Sequence, residues 1–437
     1  MRQFYSISIL ILFITVNATG QEGWTRQATP YSSGLSAVYA IDSLNVWATG
    51  QDGLIIHTTD GGTTWDSIPN GATQGIYTVE FINADTGFVG GRDNGPGALV
   101  GTNTLIQRTT DGGLTWEFQN LPGGSQNLLM DLDFVEGPPG EPMRGTSVGG
   151  LAHVWVTNDY GETWEAASGD CGEGNFNSCF FADSITGWFV GTPSNVKPYT
   201  IMFTDDGCKS FAEQTDPNEV KLNGVCFGTD LKGLAVGNSG AILFTSDGGA
   251  NWEQSADEDI SVTTWFSVFL SATGKAWAVG NNGRILYSTD WGQTWETQES
   301  GVTEPLWEVH FINDNEGWIV GGFSENVILH TKNGGGTSAG TGVYNDERTK
   351  AYSLEQNHPN PFSTSTQISY RLTRSNHVTL IIYDISGRKI QTLVNEFQIA
   401  GEHKIEWDAG HLSNGLYFYE LVVAKYSGEL RKMVLAK

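Results

Sequence analysis

A chain of 437 residues is longer than one ordinary core supports, so two domains or a repeat architecture are required. Hydrophobic residues make up 39%, and 56 Gly with 15 Trp point to many short strands joined by glycine turns rather than to helices. The formal charge of −26 is unevenly placed, with 39 acidic and 11 basic side chains in 21–344 against 10 and 11 in 345–437; this argues against nucleic-acid binding and marks a domain boundary.

In chain order, residues 1–20 come first. A basic start at Arg2, the apolar run from Ile7 to Val16 and the small residues Ala18, Thr19 and Gly20 read as a secretory signal peptide, with the mature chain starting at Gln21. The run is too short to span a bilayer and no later run is long and apolar enough, so no membrane span is expected.

A repeat then governs residues 21–338. Ser/Thr-x-Asp-x-Gly-x-Thr-Trp occurs from Thr58, Thr109, Thr157 and Ser288, with Asn251 replacing Thr in the copy from Thr245. A degraded copy runs from Thr204 to Phe211, and a last one from Thr331 lacks the Trp. Asp60, Asp111, Asp159, Asp206, Asp247, Asp290 and Asn333 recur at intervals of 41–51 residues, the length of one four-stranded blade. In this turn the Asp accepts backbone hydrogen bonds, the Gly takes a positive φ and the Trp starts the next strand, so the six Asp are expected to be structural. Upstream, strands such as Gly87–Gly91, Gly187–Gly191, Gly233–Gly237 and Gly317–Gly321 complete a unit of strand a, turn, strand b, loop, strand c, box and strand d. The seventh unit has no outer strand, and Trp24-Thr25-Arg26-Gln27 carries its pattern, so residues 24–28 are expected to close the ring.

These motifs resemble the Asp-box, or BNR, repeats of sialidases, and the whole repeat resembles the photosystem II assembly and stability factor propellers. The fold implied is all-β, a seven-bladed β-propeller over 21–338 followed by a small antiparallel Ig-like β-sandwich. Propellers host unrelated activities, so the resemblance speaks to fold more than function.

Gly, Thr and Ser make 339–353 a flexible linker, and the pattern changes beyond it. Asn357-His358-Pro359-Asn360-Pro361-Phe362, Val378–Arg388, Trp407-Asp408, Gly415–Tyr419 and Lys432–Leu435 are strand-length runs broken by Gly and Asn. Their order resembles the type A C-terminal sorting domain of the type IX (Por) secretion system, although His358 stands where Tyr is common and Ser363-Thr364 replaces a frequent Asn-Pro. The resemblance implies that 354–437 engages the type IX secretion machinery and that the chain reaches the cell surface or the medium by way of the periplasm.

No catalytic constellation is assembled. A sialidase-type site needs three arginines, a Tyr nucleophile and an acidic partner, whereas 21–338 holds only Arg26, Arg92, Arg108, Arg144 and Arg284. Asp131, Asp133, Asp257, Glu258 and Asp259 are acids expected on d-to-a connections, where a hydrolase would need a pair about 5–9.5 Å apart. His57 and His330 precede their boxes as ordinary strand residues. No metal and no cofactor are expected. Of the four cysteines, Cys171 and Cys179 share one connection and are the favoured disulfide, with Cys208 in a box and Cys226 in an inner strand.

The b–c and d–a connections should share the face opposite the boxes. Most of the longer insertions fall there, at Arg92–Thr104, Thr192–Thr200, Ser168–Ser178 and Asp257–Thr264, while Glu136–Arg144 enlarges an a–b turn. Tyr77, Phe266 and Trp307 at equivalent starts of strand a, with Trp265 and Arg92, form the candidate ligand site. The expected function is a non-catalytic surface propeller that binds a protein or glycan there. The alternatives are a glycoside hydrolase acting on extracellular polysaccharide and an assembly factor for an envelope complex.

Overall fold

Each copy of the repeat folds as an antiparallel four-stranded sheet in the order a-b-c-d. The computed structural model describes residues 23–92, 104–122, 128–137, 142–171, 174–192, 200–255, 263–323, 325–336, 352–372, 376–384, 388–399, 401–410, 412–423 and 426–437. The signal segment 1–20, linker residues 339–351 and most of the expected insertions Arg92–Thr104, Thr192–Thr200 and Asp257–Thr264 lie outside them, whereas Ser168–Ser178 is described apart from 172–173 and Glu136–Arg144 apart from 138–141. The inner strands are Leu35–Ala40, Ile76–Phe81, Leu129–Val135, Asn175–Phe181, Leu222–Phe227, Trp265–Leu270 and Leu306–Phe311, which define blades 1 to 7. Each packs on the next and the last packs on the first, so the sheets form the ring of a β-propeller. In blade 7 the outer strand is Thr25–Arg26, with Thr25 opposite His330 and Arg26 opposite Leu329.

The box turn is held by short polar side chains. Thr58 Oγ1 donates to Asp60 Oδ1 (2.8 Å) and accepts the Gly62 N–H (2.9 Å), while Asp60 accepts both the N–H and the hydroxyl of Thr64. These bonds hold the Asp60 carboxyl at about 2, and Asp206 is held equally low by Ser210. Asn333 takes the same position in blade 7 and accepts from Thr331 Oγ1 at 2.9 Å. Outer-strand glutamines then reach the next blade, as where Gln27 Nε2 donates to Gly61 O (2.7 Å) and Gln214 Oε1 accepts the Trp252 indole N–H (2.9 Å).

Two further regularities explain the glycines that bracket strand b. In all seven inner strands the pairing register skips the second residue of the core segment, leaving a β-bulge there. The bulge brings backbone against the end of strand b; a Cβ on Gly321, for example, would strike the Pro305 carbonyl. At the other end, the ring that closes strand a lies over the first residue of strand b: a Cβ on Gly187 would meet Phe181 at 2.6 Å and one on Gly317 would meet Phe311 at 2.5 Å. Blades 1 and 6 end strand a with Ala40 and Leu270, and there strand b starts with Val46 and Ala276. Ring and glycine therefore vary together.

Residues 352–437 form a sandwich of a three-stranded sheet (Tyr352–Leu354, Ser365–Leu372, Gly401–Asp408) and a four-stranded one (Lys389–Gln398, Asn376–Asp384, Gly415–Val423, Tyr426–Leu435). Ile368, Tyr370, Leu380, Ile382, Trp407, Tyr419 and Met433 fill its core. The buried Asn357 ties the entry segment down, its N–H bonded to Tyr419 Oη (2.8 Å) and its amide to Thr366 Oγ1 (2.9 Å).

The expected Cys171–Cys179 bridge is not formed; all four cysteines are thiols. Cys179 is buried in mid-strand at the seam of blades 3 and 4, whereas the Cys171 sulfur is engaged by the Ala152 carbonyl at 2.8 Å. Cys208 lies at the same seam, at φ +65° in the box position that is glycine in the other copies.

Candidate functional site

The inner strands place their third and fifth core residues along the ring axis. In blades 2, 3 and 7 these include Glu80, Asp131, Asp133 and Glu308, and each carboxylate is spent on the neighbouring blade. Asp131 accepts the Cys179 N–H (3.0 Å), Asp133 that of Phe181 (2.7 Å), Glu80 that of Phe134 (3.1 Å) and Glu308 that of Val38 (3.2 Å). Tyr39 Oη and His310 serve the matching carbonyls of Phe81 and Ala40. An inner strand is the edge of its sheet, and these bonds satisfy backbone groups that the sheet leaves open.

That arrangement corrects the sequence reading of Asp131 and Asp133, which are strand residues rather than acids of a d-to-a connection. Asp257, Glu258 and Asp259 lie outside the described residues. Burial pushes Asp131 up to about 6, with the Asp133 charge adding to it, and drives Glu308 well above the ordinary carboxylate range with help from Asp131. Burial likewise lowers His310 to about 4.

The bulged second position lies at the loop-face end of the channel. It is Asn in blades 4 and 5, where Asn177 and Asn223 donate to Leu222 O (2.7 Å) and Trp265 O (2.8 Å) of the next blade. In blades 2, 6 and 7 it is Tyr77, Phe266 and Trp307, all half-buried. Phe266 and Trp307 meet at a ring-centroid distance of 4.2 Å, and Phe323 joins them 5.0 Å from Trp307 at an angle of 76°. Tyr77 stands two blades away from Trp307 round the ring.

Trp265 is a correction. It occupies the first core position and is wholly buried between blades 5 and 6, so no ligand reaches it; sequence adjacency to Phe266 hid the bulge that separates their roles. Arg92 is exposed at the end of strand b of blade 2.

Phe323 was not singled out from the sequence, although a signal existed. Among the described residues, four b–c connections make tight turns, at Gln51–Gly53, Gly150–Ala152, Asn238–Gly240 and Asn281–Gly283, whereas the blade 7 sequence reads Gly322-Phe323-Ser324-Glu325. Gly322, at φ +95°, has no room for a Cβ against the Glu325 carbonyl. Its carbonyl accepts the Trp307 indole N–H (3.3 Å), and Glu304 Oε2 accepts the Phe323 N–H (3.1 Å). The Phe323 ring is thus held outward on a fixed backbone, 69% exposed.

Comparison with known proteins agrees with this architecture. Residues 208–301 match the family model of the photosynthesis system II assembly factor YCF48, and residues 357–436 match that of the secretion system C-terminal sorting domain. The chloroplastic photosystem II stability/assembly factor of Arabidopsis thaliana is 30% identical over 157 residues, covering 34% of this chain and 36% of that protein, so the chain spans about a third of that relative's length. A solved structure described as YCF48 bound to a D1 peptide superposes with a TM-score of 0.57 at 18% identity, over 71% of this chain and 96% of that one. PorZ, described as an essential bacterial surface component of the type-IX secretion system of Porphyromonas gingivalis, gives 0.50 at 11% identity over 94% of this chain and 60% of its own. At such identities the two superpositions speak to fold alone. The sorting domain marks the chain for type IX export, to the cell surface or the medium. Among the described residues, no helix is long and apolar enough to cross a membrane.

Proposed function

Since this chain is a YCF48-like propeller that ends in a secretion system C-terminal sorting domain, we propose that it is an exported, non-catalytic binding protein that holds a polypeptide partner at the loop-face mouth of its channel. The observation that carries this reading is the Phe266–Trp307–Phe323 cluster, three rings brought together from two blades with the outermost fixed in solvent. Exposed aromatic anchors on a rigid backbone are the usual energetic centre of a binding surface. The channel carboxylates support the non-catalytic part, because each is occupied by a backbone N–H of the next blade. A polypeptide is favoured over a glycan by analogy with the YCF48 structure described as bound to a D1 peptide. If the partner is a subunit of an envelope complex, the binding takes the form of an assembly factor.

The test is affinity capture from envelope extract on the purified chain and on its Trp307→Ala variant, beside a glycan array and an assay of sugar release from extracellular polysaccharides. A stable protein partner lost in the variant is the expected result. Sugar release, or retention of glycans without any protein, would replace this reading with the hydrolase or lectin one.

A further inference from the structure

We propose that the corner between Trp307 and Phe323 seats a positively charged side chain, lysine or arginine, of the partner polypeptide. The inference rests on the loop-face reading above and adds the chemistry of what is recognised.

Ring geometry is the first argument. A sugar platform needs an open, flat ring face, but Trp307 and Phe323 stand at 76° to each other and Phe266 is tilted 43° from Trp307. Rings set at a steep angle form the walls of a corner, the arrangement that surrounds a cation with the electron-rich faces of aromatic rings.

Electrostatics is the second. The backbone that presents Phe323 is bracketed by two carboxylates, Glu304 bonded to its N–H and Glu325 two residues on; Glu325 is bridged to Arg26 Nη2 at 3.4 Å, so Glu304 is the carboxylate that carries the local negative charge beside the rings. Both glutamates lie within a segment, 21–344, of 39 acidic and 11 basic residues. A neutral sugar gains nothing from this field and an anionic partner is repelled, whereas a basic segment is attracted both at long range and at the rings. The neighbouring Arg284 is committed elsewhere, to Thr263 Oγ1 (2.8 Å) and towards the face of Trp265 (5.9 Å). The protein already uses such a pairing on the opposite face, where Lys232 sits 4.2 Å above the Trp291 ring.

The experiment measures fluorescence anisotropy of a labelled peptide of alternating lysine and proline with the purified full chain. An acetyl-lysine counterpart and unlabelled cellohexaose and chitohexaose as competitors complete the set. The lysine peptide should bind, and acetylation should weaken it about tenfold, in line with a partly desolvated cation–π contact. Phe323→Ala and Glu304→Gln should each weaken it by several-fold, while Tyr160→Ala on the box face leaves it unchanged. Equal binding of the acetylated peptide, binding indifferent to Phe323→Ala, or no binding of the lysine peptide would each overturn the inference. Competition by the neutral oligosaccharides that depends on Phe323 would also overturn it while leaving the loop face as the binding site. That outcome separates its failure from failure of the broader reading.

Discussion

The indole N–H of Trp24 donates to Oε1 of Gln298 at 2.9 Å, a buried hydrogen bond between residues 274 positions apart. Gln298 also donates to Gly334 O at 2.9 Å, so one side chain in the outer strand of blade 6 grips both the box of blade 7 and the N-terminal strand that completes it. Trp24 packs edge-on against Phe311 in the same cluster as Trp277. Truncating a buried Trp costs about 3–5 kcal/mol, a large share of a domain's net stability. Trp24→Ala should therefore lower the melting temperature about as much as Trp116→Ala, and a double-mutant cycle with Gln298→Ala should return a coupling of about 1 kcal/mol. Unchanged stability in Trp24→Ala would show that the ring is held shut without this contact.

The pairing of terminal ring and glycine gives a second expectation. Gly187→Ala puts a methyl group 2.6 Å from Phe181 and should destabilise by about 1–3 kcal/mol. Blade 6 carries the compatible pair Leu270 and Ala276, so adding Phe181→Leu should recover part of the loss. Strictly additive losses in the double variant, read by denaturant titration, would refute the pairing.

Much of this fold was legible because a repeat displays its constraints seven times: the box announces the c–d turn, and the glycines announce where strand b is crowded. The site was less so. Trp265 and Phe266 look alike in sequence, and only the bulge decides that one is core and the other faces the channel mouth. Asp131 and Asp133 read as loop acids because nothing local reveals that an edge strand across the seam needs their oxygens. Phe323 lies in a connection that reaches Trp307 only after the strands between them have paired.

Proton linkage offers a third test. Burial holds Asp131 at about 6, above the value of about 4 in an unfolded chain. Between those values the native state binds more protons, so this residue's contribution falls as pH rises from about 4 to about 6, and its cost is complete above that window. His310 and His330, lowered to about 4, slope the other way, losing stability as pH falls below about 6.5. The difference between Asp131→Asn and the parent isolates the carboxylate: melting temperatures measured across this window should converge with rising pH, or cross in favour of the variant. Parallel curves would mean that Asp131 titrates normally in the folded protein.

For export, removing residues 354–437 should leave a folded propeller in the periplasm, as judged by cell fractionation and protease protection. Delivery of the truncated chain to the surface or the medium would contradict the role of the sorting domain.

The most direct test of the account is photo-cross-linking on intact cells with benzoylphenylalanine placed at Phe323 on the loop face or at Tyr160 on the box face. The account predicts a discrete cross-linked polypeptide from position 323 and none from position 160. A partner captured only from position 160, or from neither, would contradict it.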